Sequence, residues 1–316
     1  MIVVVSYPDD PHAERVIGLL RQRGKDVLLL NVADLPHKAT LTVDYGGCCQ
    51  PRLDYRVGDA DAIDLSTATA VWWRRPQVAN VAGVSDPDAL VFAAGEWHEA
   101  ISGVWQLMEA RWVNPPAADD AASHKAYQLR IAAELGLKVP QTLMTSDPDR
   151  ARAFIETHGV GKTIFKTFSC THQVWRETRP VRAEELQNLD ALRLAPVIFQ
   201  EYIPADADLR VTIVGDQVFA AAIHSAETEY PFDFRMVLGQ AKVEAVELPA
   251  PVREKLLRFM RRLGLVYGAI DLRRTPSGDH VFLEVNTAGE FLFVEERAGL
   301  PVSSALADWL ATPASH

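Results

Sequence analysis

Cysteine is scarce. Only three occur in 316 residues, and two of them, Cys48 and Cys49, are adjacent. Such a set builds no disulfide framework and lacks the spacing of a zinc site, so a reducing compartment fits best. Basic charge is also in deficit, with 32 Lys and Arg against 42 Asp and Glu and a net charge of −10. That balance argues against nucleic-acid binding through a basic surface. No stretch approaches the roughly 20 apolar residues of a membrane span. The opening MIVVVSYPDD has an apolar run too short for a signal peptide, no basic region before it and acids directly after it. A cytoplasmic protein with no nucleic-acid and no membrane partner is expected.

Hydrophobic residues make up 48% and charged residues 23%, as in a globular protein, and the length exceeds one average domain. Residues 2–6 have a buried-strand pattern. A helix over 11–23 follows, stopped by Gly24, and then a strand over 26–31, an order that predicts a parallel open sheet. Residues 41–45 and 52–57 flank a glycine-containing turn as a hairpin. A strand over 70–74, a long helix over 87–110 and a short strand over 112–114 lead to Pro115-Pro116, which marks a boundary. Beyond it, 119–135 is helical with Gly136 as its stop, and 141–188 alternates strand, helix, strand, strand, helix. Strands dominate from 197 onward (197–203, 210–214, 217–224). An amphipathic helix over 249–263 comes next, then a hairpin, and a helix over 302–310 ends the pattern.

The hairpin is the most informative segment. Apolar residues 265–272 and 281–285 flank the turn-rich Thr275-Pro276-Ser277-Gly278-Asp279. Pairing Arg274 with Val281 sets Asp271 opposite Glu284, and Asn286, two residues on, points to the same face. Two carboxylates and an amide oxygen then converge between hydrophobic strands. Buried carboxylates demand compensation, and a hard divalent cation supplies it. Magnesium suits such ligands, and with few protein ligands it usually also holds nucleotide phosphates. The alternative is a hairpin whose acids face water.

Other positions are ambiguous singly. Lys166, in an apolar strand, either snorkels to solvent or meets an anion, and Lys125 is equally open. Gln200, Glu201, Tyr202 and Ile203 end a strand before Pro204, either as an exposed strand end or as a hinge whose backbone reads an adenine edge. Arg210, in Asp208-Leu209-Arg210, and Arg235, in Asp233-Phe234-Arg235, offer two guanidiniums for oxyanions. His172 and His224 read as rim or packed histidines.

The order Lys125, Lys166, Gln200–Ile203, Asp208/Arg210, Asp233/Arg235, Asp271, Glu284, Asn286 resembles the ATP-grasp superfamily over roughly residues 115–316. The resemblance implies Lys125 and Lys166 on nucleotide phosphates, Gln200, Glu201, Tyr202 and Ile203 around adenine, and Asp208 near the ribose. It places magnesium on Asp271, Glu284 and Asn286. Val71-Trp72-Trp73-Arg74-Arg75, together with residues 208–215, 267–271 and 282–291, is similar to the microviridin-type peptide maturases (graspetide synthetases). Ribosomal-protein glutamate ligases share the ATP-grasp half and lack the tryptophan–arginine segment. The tryptophan–arginine run is otherwise a core strand ending in surface charge.

The expected fold is therefore α/β. A pre-ATP-grasp N-terminal domain (1–116) precedes an ATP-grasp fold of two α+β subdomains (117–196 and 197–316). The resemblance implies an ATP- and Mg2+-dependent ligase that forms ω-ester or ω-amide crosslinks in a precursor peptide with leader and core, and a homodimer. Arg210 and Arg235 would steady an acyl phosphate and Arg74 would hold substrate. A ligase adding amino acids to a protein or peptide is one alternative; a non-catalytic peptide- or nucleotide-binding protein is another. Two departures stand out. Residues 167–173 contain no glycine where many ATP-grasp enzymes have a glycine-rich flap, and Thr287 replaces the proline common in the maturases.

Overall fold

The computed structural model describes residues 1–47, 49–168, 178–230 and 232–313. These form two compact units: 1–118 with 264–267 and 301–316, and 119–263 with 268–300.

In the first unit β1 (Ile2–Val5), α1 (Pro11–Gln22) and β2 (Val27–Leu30) open the chain. Asp10 caps α1 by accepting from His12 N–H, Pro11 fits the first turn, and Gly24 ends it at φ +69°. The hairpin β3 (Ala39–Asp44) and β4 (Arg52–Val57) pairs onward with β5 (Ile63–Asp64). Next come β6 (Ala70–Trp73), α2 (Pro87–Leu107) and β7 (Arg111–Val113). The main sheet is parallel in the order β2-β1-β6-β7, as the strand–helix–strand start predicts. Val3, Val5, Leu30, Leu53, Tyr55, Val71 and Trp105 form its core. Trp73 packs edge-on against Trp105 and Trp112, at 5.5 and 6.3 Å between ring centres.

The expected single helix over 119–135 is broken into α3 (Pro116–Ser123) and α4 (Lys125–Glu134) by an extended His124. The second unit continues with β8 (Thr142–Thr145), α5 (Pro148–His158), β9 (Thr163–Lys166), β10 (Arg179–Pro180) and β11 (Val197–Glu201). In place of the last helix expected within 141–188 stands a short 3-10 turn, Ala183–Gln187, followed by a second, Leu189–Arg193. β11 begins just past the expected boundary after residue 196, and it completes the sheet β10-β9-β11-β8, which therefore runs across that boundary.

A second sheet, in the order β14-β13-β12-β15-β16, uses β12 (Ala207–Val214), β13 (Gln217–Ile223), β14 (Val243–Ala245), β15 (Tyr267–Arg274) and β16 (His280–Asn286). α6 (Ala250–Leu263) buries Leu256, Phe259, Met260 and Leu263. A Cβ on Gly268 would lie 2.8 Å from Met260 Cε and 2.9 Å from Val285 Cγ2, so only glycine fits where β15 starts. α7 (Leu292–Ala298) follows, and α8 (Val302–Ala311) belongs to the first unit, where Arg23 bonds Asp308 at 2.9 Å and Ser304 Oγ at 3.0 Å. Among the described residues no helix is long and apolar enough to cross a membrane.

The β15–β16 register corrects the sequence reading. The turn closes through Thr275 N–H to Asp279 O, so Arg274 faces His280 and Arg273, not Arg274, faces Val281. A bulge between Asp271 and Leu272 absorbs the one-residue offset and restores Asp271 opposite Glu284. Bulges of this kind re-aim side chains beside functional sites.

Candidate functional site

A pocket of roughly 640 Å³, counting its mouth, opens in the second unit. β9 supplies Lys166, β11 supplies Gln200 and Glu201, and the chain after it adds Tyr202 and Ile203. Asp208 comes from β12, Asp271 and Arg273 from β15, and Glu284 from β16. Phe232 to Arg235 contribute from a loop and 3-10 turn, and Ile164, Leu272 and Leu283 are apolar lining. With Thr178, seven separate stretches of sequence thus meet around one space.

β12 and β15 each carry Asp-x-Arg, whose alternation puts both side chains on one face. Asp208 Oδ1 accepts from Arg273 Nε at 2.9 Å, and Arg210 Nε lies 3.2 Å from Asp271 Oδ1. Each acid meets the other strand's arginine. Arg273 also donates to Ile203 O at 2.9 Å and lies 5.1 Å from the Tyr202 ring centre. Sequence reading passed over Arg273, although Asp271-Leu272-Arg273 repeats the triplet spacing of Asp208-Leu209-Arg210 and Asp233-Phe234-Arg235. Arg235 folds onto Asp233 with Nε to Oδ1 at 2.8 Å and Nη2 to Oδ2. That hydrogen bond, working against burial, raises the arginine's pKa.

Lys166 Nζ donates to Gln200 Oε1 at 2.8 Å, and Gln200 Nε2 donates to Thr142 Oγ1 at 2.9 Å. Gln200 is thus a buried holder of the lysine. Burial lowers the Lys166 pKa, with Glu284 opposing the shift. At the end of β11, Glu201 N–H donates to Gln141 O and Tyr202 N–H to Lys162 O. The Tyr202 ring lies 5.3 Å from that of Phe232. Asp208 additionally accepts from Ser225 Oγ.

Glu284 forms a close ion pair with Lys125, the first residue of α4. Burial alone would raise the carboxyl pKa, but Lys125 and then Lys166 overcome it and bring it down to about 2. Asp271 goes the other way: burial raises it to about 6 despite Arg210. Its Oδ1 is buried and makes no hydrogen bond among the described residues. Asn286, opposite Ala269, is exposed and its Oδ1 accepts from Ala288 N–H at 3.0 Å. The structure brings Asp271, Glu284, Lys166 and Lys125 together and engages Asn286 in the next turn. Among the described residues no group of three or more His, Cys, Asp or Glu is arranged around a metal. Two carboxylates facing each other, one with an oxygen lacking a donor, nevertheless form a hard-oxygen pair that fits magnesium.

Arg74 requires a correction. Its Nε donates to Asp10 Oδ2 at 3.1 Å and both side chains are fully buried in the first unit, so the guanidinium has no surface with which to hold substrate. His224 bonds Glu244 at 2.9 Å and does not line the pocket. His172 and most of the glycine-free 167–173 segment lie outside the described residues.

A RimK-like ATP-grasp domain matches residues 122–310. The chain belongs to the RimK-like ATP-grasp family. ATP-grasp ligases use ATP and Mg2+. The macrocyclase MdnC of Microcystis aeruginosa MRC, solved with precursor peptide MdnA, superposes with a TM-score of 0.87 at 30% identity, over 98% of this chain and 99% of that one. A RiPP-associated ATP-grasp ligase of Chryseobacterium gregarium, solved with ADP and a leader and core peptide, gives 0.86 at 26% identity over 98% and 96%. The ribosomal protein bS6–L-glutamate ligase of Salmonella paratyphi B is 27% identical over 218 residues, 66% of this chain and 71% of its own. This protein is an ATP-grasp ligase of the same family.

Proposed function

We propose that this ligase is a macrocyclase that crosslinks side chains of a ribosomally made precursor peptide through ω-ester or ω-amide bonds. The observation that carries the reading is extent. Likeness to ligases solved with precursor peptides spans 98% of the chain, the first unit included, at TM-scores of 0.87 and 0.86.

A carboxylate is a poor acyl donor because its leaving group would be oxide. Transfer of the ATP γ-phosphoryl group to an Asp or Glu side chain of the peptide gives an acyl phosphate and ADP. A Ser/Thr hydroxyl or Lys amine of the same peptide then attacks the carbonyl, loses its proton and expels phosphate. Both steps develop negative charge among fixed cations, so positioning and electrostatics do most of the work. Lys166, held by Gln200, and Lys125 would bind the phosphates. Gln200–Ile203, with Ile164, Phe232, Leu272 and Leu283, would enclose adenine. Asp208 would use its remaining acceptor capacity at the ribose. Asp271 and Glu284 would hold magnesium, joined by Asn286 once it releases Ala288 N–H; the ion supplies positive charge to the phosphates. Lys125, paired with Glu284 here, would contact phosphate from α4. Arg210 and Arg235 would steady the acyl phosphate.

We place the protein in the cytoplasm as a homodimer. Support for the dimer comes from the start of α2, where Val91 and Phe92 are 74% and 68% exposed, an apolar surface that a second copy would cover.

Mass spectrometry tests the reading. A Thr/Ser- and Asp/Glu-rich candidate precursor incubated with enzyme, ATP and Mg2+ should lose one water, about 18 Da, per closure. Gain of an amino-acid mass would favour the glutamate-ligase reading. ATP consumption only with a small-molecule acceptor would overturn both.

A further inference from the structure

Glu284 and Asn286 sit on β16, the edge strand of its sheet. An edge strand has outward backbone groups that no strand satisfies. Here the outer side is closed at two points. Phe282 N–H donates to Lys138 O at 2.7 Å. At Val285, between the two proposed ligands, the partner is the side chain of Gln128. Its Oε1 accepts from Val285 N–H at 2.9 Å, and its Nε2 donates to Val285 O at 3.0 Å. The amide stands in for one residue of a missing strand, and the fixed polarity of the two backbone groups sets its orientation.

The other Nε2 hydrogen points to Ala122 O, at 2.6 Å. Ala122 lies in the last turn of α3, just before the chain breaks at His124. Gln128 therefore ties three places together: the end of α3, the body of α4 and the edge strand. It is 2% exposed and lines no part of the pocket. Lys125 lies one turn earlier on α4, a spacing that puts the two side chains on neighbouring parts of one face. α4 thus grips β16 twice, at the Val285 backbone through Gln128 and at the Glu284 carboxylate through Lys125.

We propose that Gln128 is a positioning residue for the metal–nucleotide site. It fixes the twist of β16 at Val285, so that Glu284 and Asn286 present their oxygens to one cation. It also holds α4 at the distance from which Lys125 reaches either Glu284 or phosphate. The inference rests on the functional reading above. An apolar side chain of the same length would fill the space but leave Val285 N–H and C=O without partners, and the edge strand could then shift.

The test uses the full chain as wild type, Gln128→Met and Gln128→Glu. The glutamate retains an acceptor for Val285 N–H but sets a carboxylate oxygen against the carbonyls of Val285 and Ala122. Three quantities are measured: nucleotide-free melting, hydrogen exchange of the Val285 amide, and ATP affinity by calorimetry across a magnesium titration. Exchange at Val285 should be about tenfold faster in Gln128→Met and stay slow in Gln128→Glu. The magnesium concentration giving half-maximal ATP affinity should rise about tenfold in both. A Gln128→Met protein with the wild-type magnesium midpoint overturns the proposal even if it melts lower, since that pattern marks a purely structural glutamine. Should this variant not melt cooperatively, Gln128→Glu decides by the same midpoint. A wild-type protein that binds no ATP at any magnesium concentration overturns the functional reading too; wild-type binding with unmoved variants overturns only this proposal.

Discussion

Each unit buries an arginine against an aspartate, and the two aspartates differ in what they leave over. In the first unit Asp10 accepts from Arg74 Nε at 3.1 Å, Ser6 Oγ at 2.8 Å and His12 N–H at 3.0 Å. Burial pushes its carboxyl up, yet Arg74, Ser6 and the His12 amide outweigh it and the pKa is lowered. In the second unit Arg210 Nε and Asp271 Oδ1 lie 3.2 Å apart, but neither atom, nor Arg210 Nη1, makes a hydrogen bond among the described residues. The rings of Phe234 and Phe293, 5.3 and 5.8 Å from the guanidinium carbon, hold the arginine without using its N–H groups. Here burial wins, and Asp271 rises to about 6. A saturated carboxylate is architecture. A carboxylate with an acceptor to spare has capacity for a ligand.

The contrast can be broken most directly at Arg74. Gln, Lys and Met all shorten or remove its fork, and Arg74→Met leaves Asp10 as a buried, uncompensated charge. Denaturant unfolding should show a loss of about 3–5 kcal/mol, with ATP affinity of the folded fraction unchanged. Wild-type stability would mean that this pair is no more structural than the other.

The next largest effect belongs to the pocket. Glu284→Gln is isosteric and removes the negative charge between Lys125 and Lys166. Turnover should fall roughly 10²–10³-fold while melting stays cooperative. Near-wild-type turnover at saturating magnesium would remove Glu284 from the proposed metal site.

Much of this site was legible before any coordinates. Strand alternation puts Asp271 and Glu284 face to face, and an apolar strand around Lys166 demands an explanation for its charge. What escaped depends on contacts distant in sequence. The bulge beside Asp271 follows from the way Thr275 and Asp279 close the turn, which no local pattern announces. Nothing local in 119–135 announces the break at His124, and Gln128, just after it, bonds Val285, 157 residues ahead. Arg74 looked available for substrate because its partner, Asp10, lies 64 residues earlier and reads locally only as a helix cap. Arg273 was missed for a different reason: its triplet was read for the aspartate alone.

The last effect is the smallest and sharpens the comparison by its sign. In nucleotide-free, magnesium-free protein, Asp271 has a folded-state pKa of about 6, above its ordinary 3.8. The folded state therefore binds more protons than the unfolded state between those values. Its favourable contribution is present below pH ~4 and is lost as pH rises through about 6. Glu284, brought down to about 2 from 4.5, acts oppositely: its stabilisation is present above 4.5 and is lost only as pH falls towards 2. Asp10, also lowered, loses its contribution only below the ordinary carboxylate range. From pH 4.5 to 7, then, Asp271 is the carboxylate among these three that makes stability fall with rising pH. Asp271→Asn removes that dependence, and histidines common to both proteins cancel in the difference. Relative to wild type, the variant should gain roughly 2–3 kcal/mol in unfolding free energy between pH 4 and pH 7. A flat difference across that range would place Asp271 with Asp10, as a carboxylate already satisfied by its arginine.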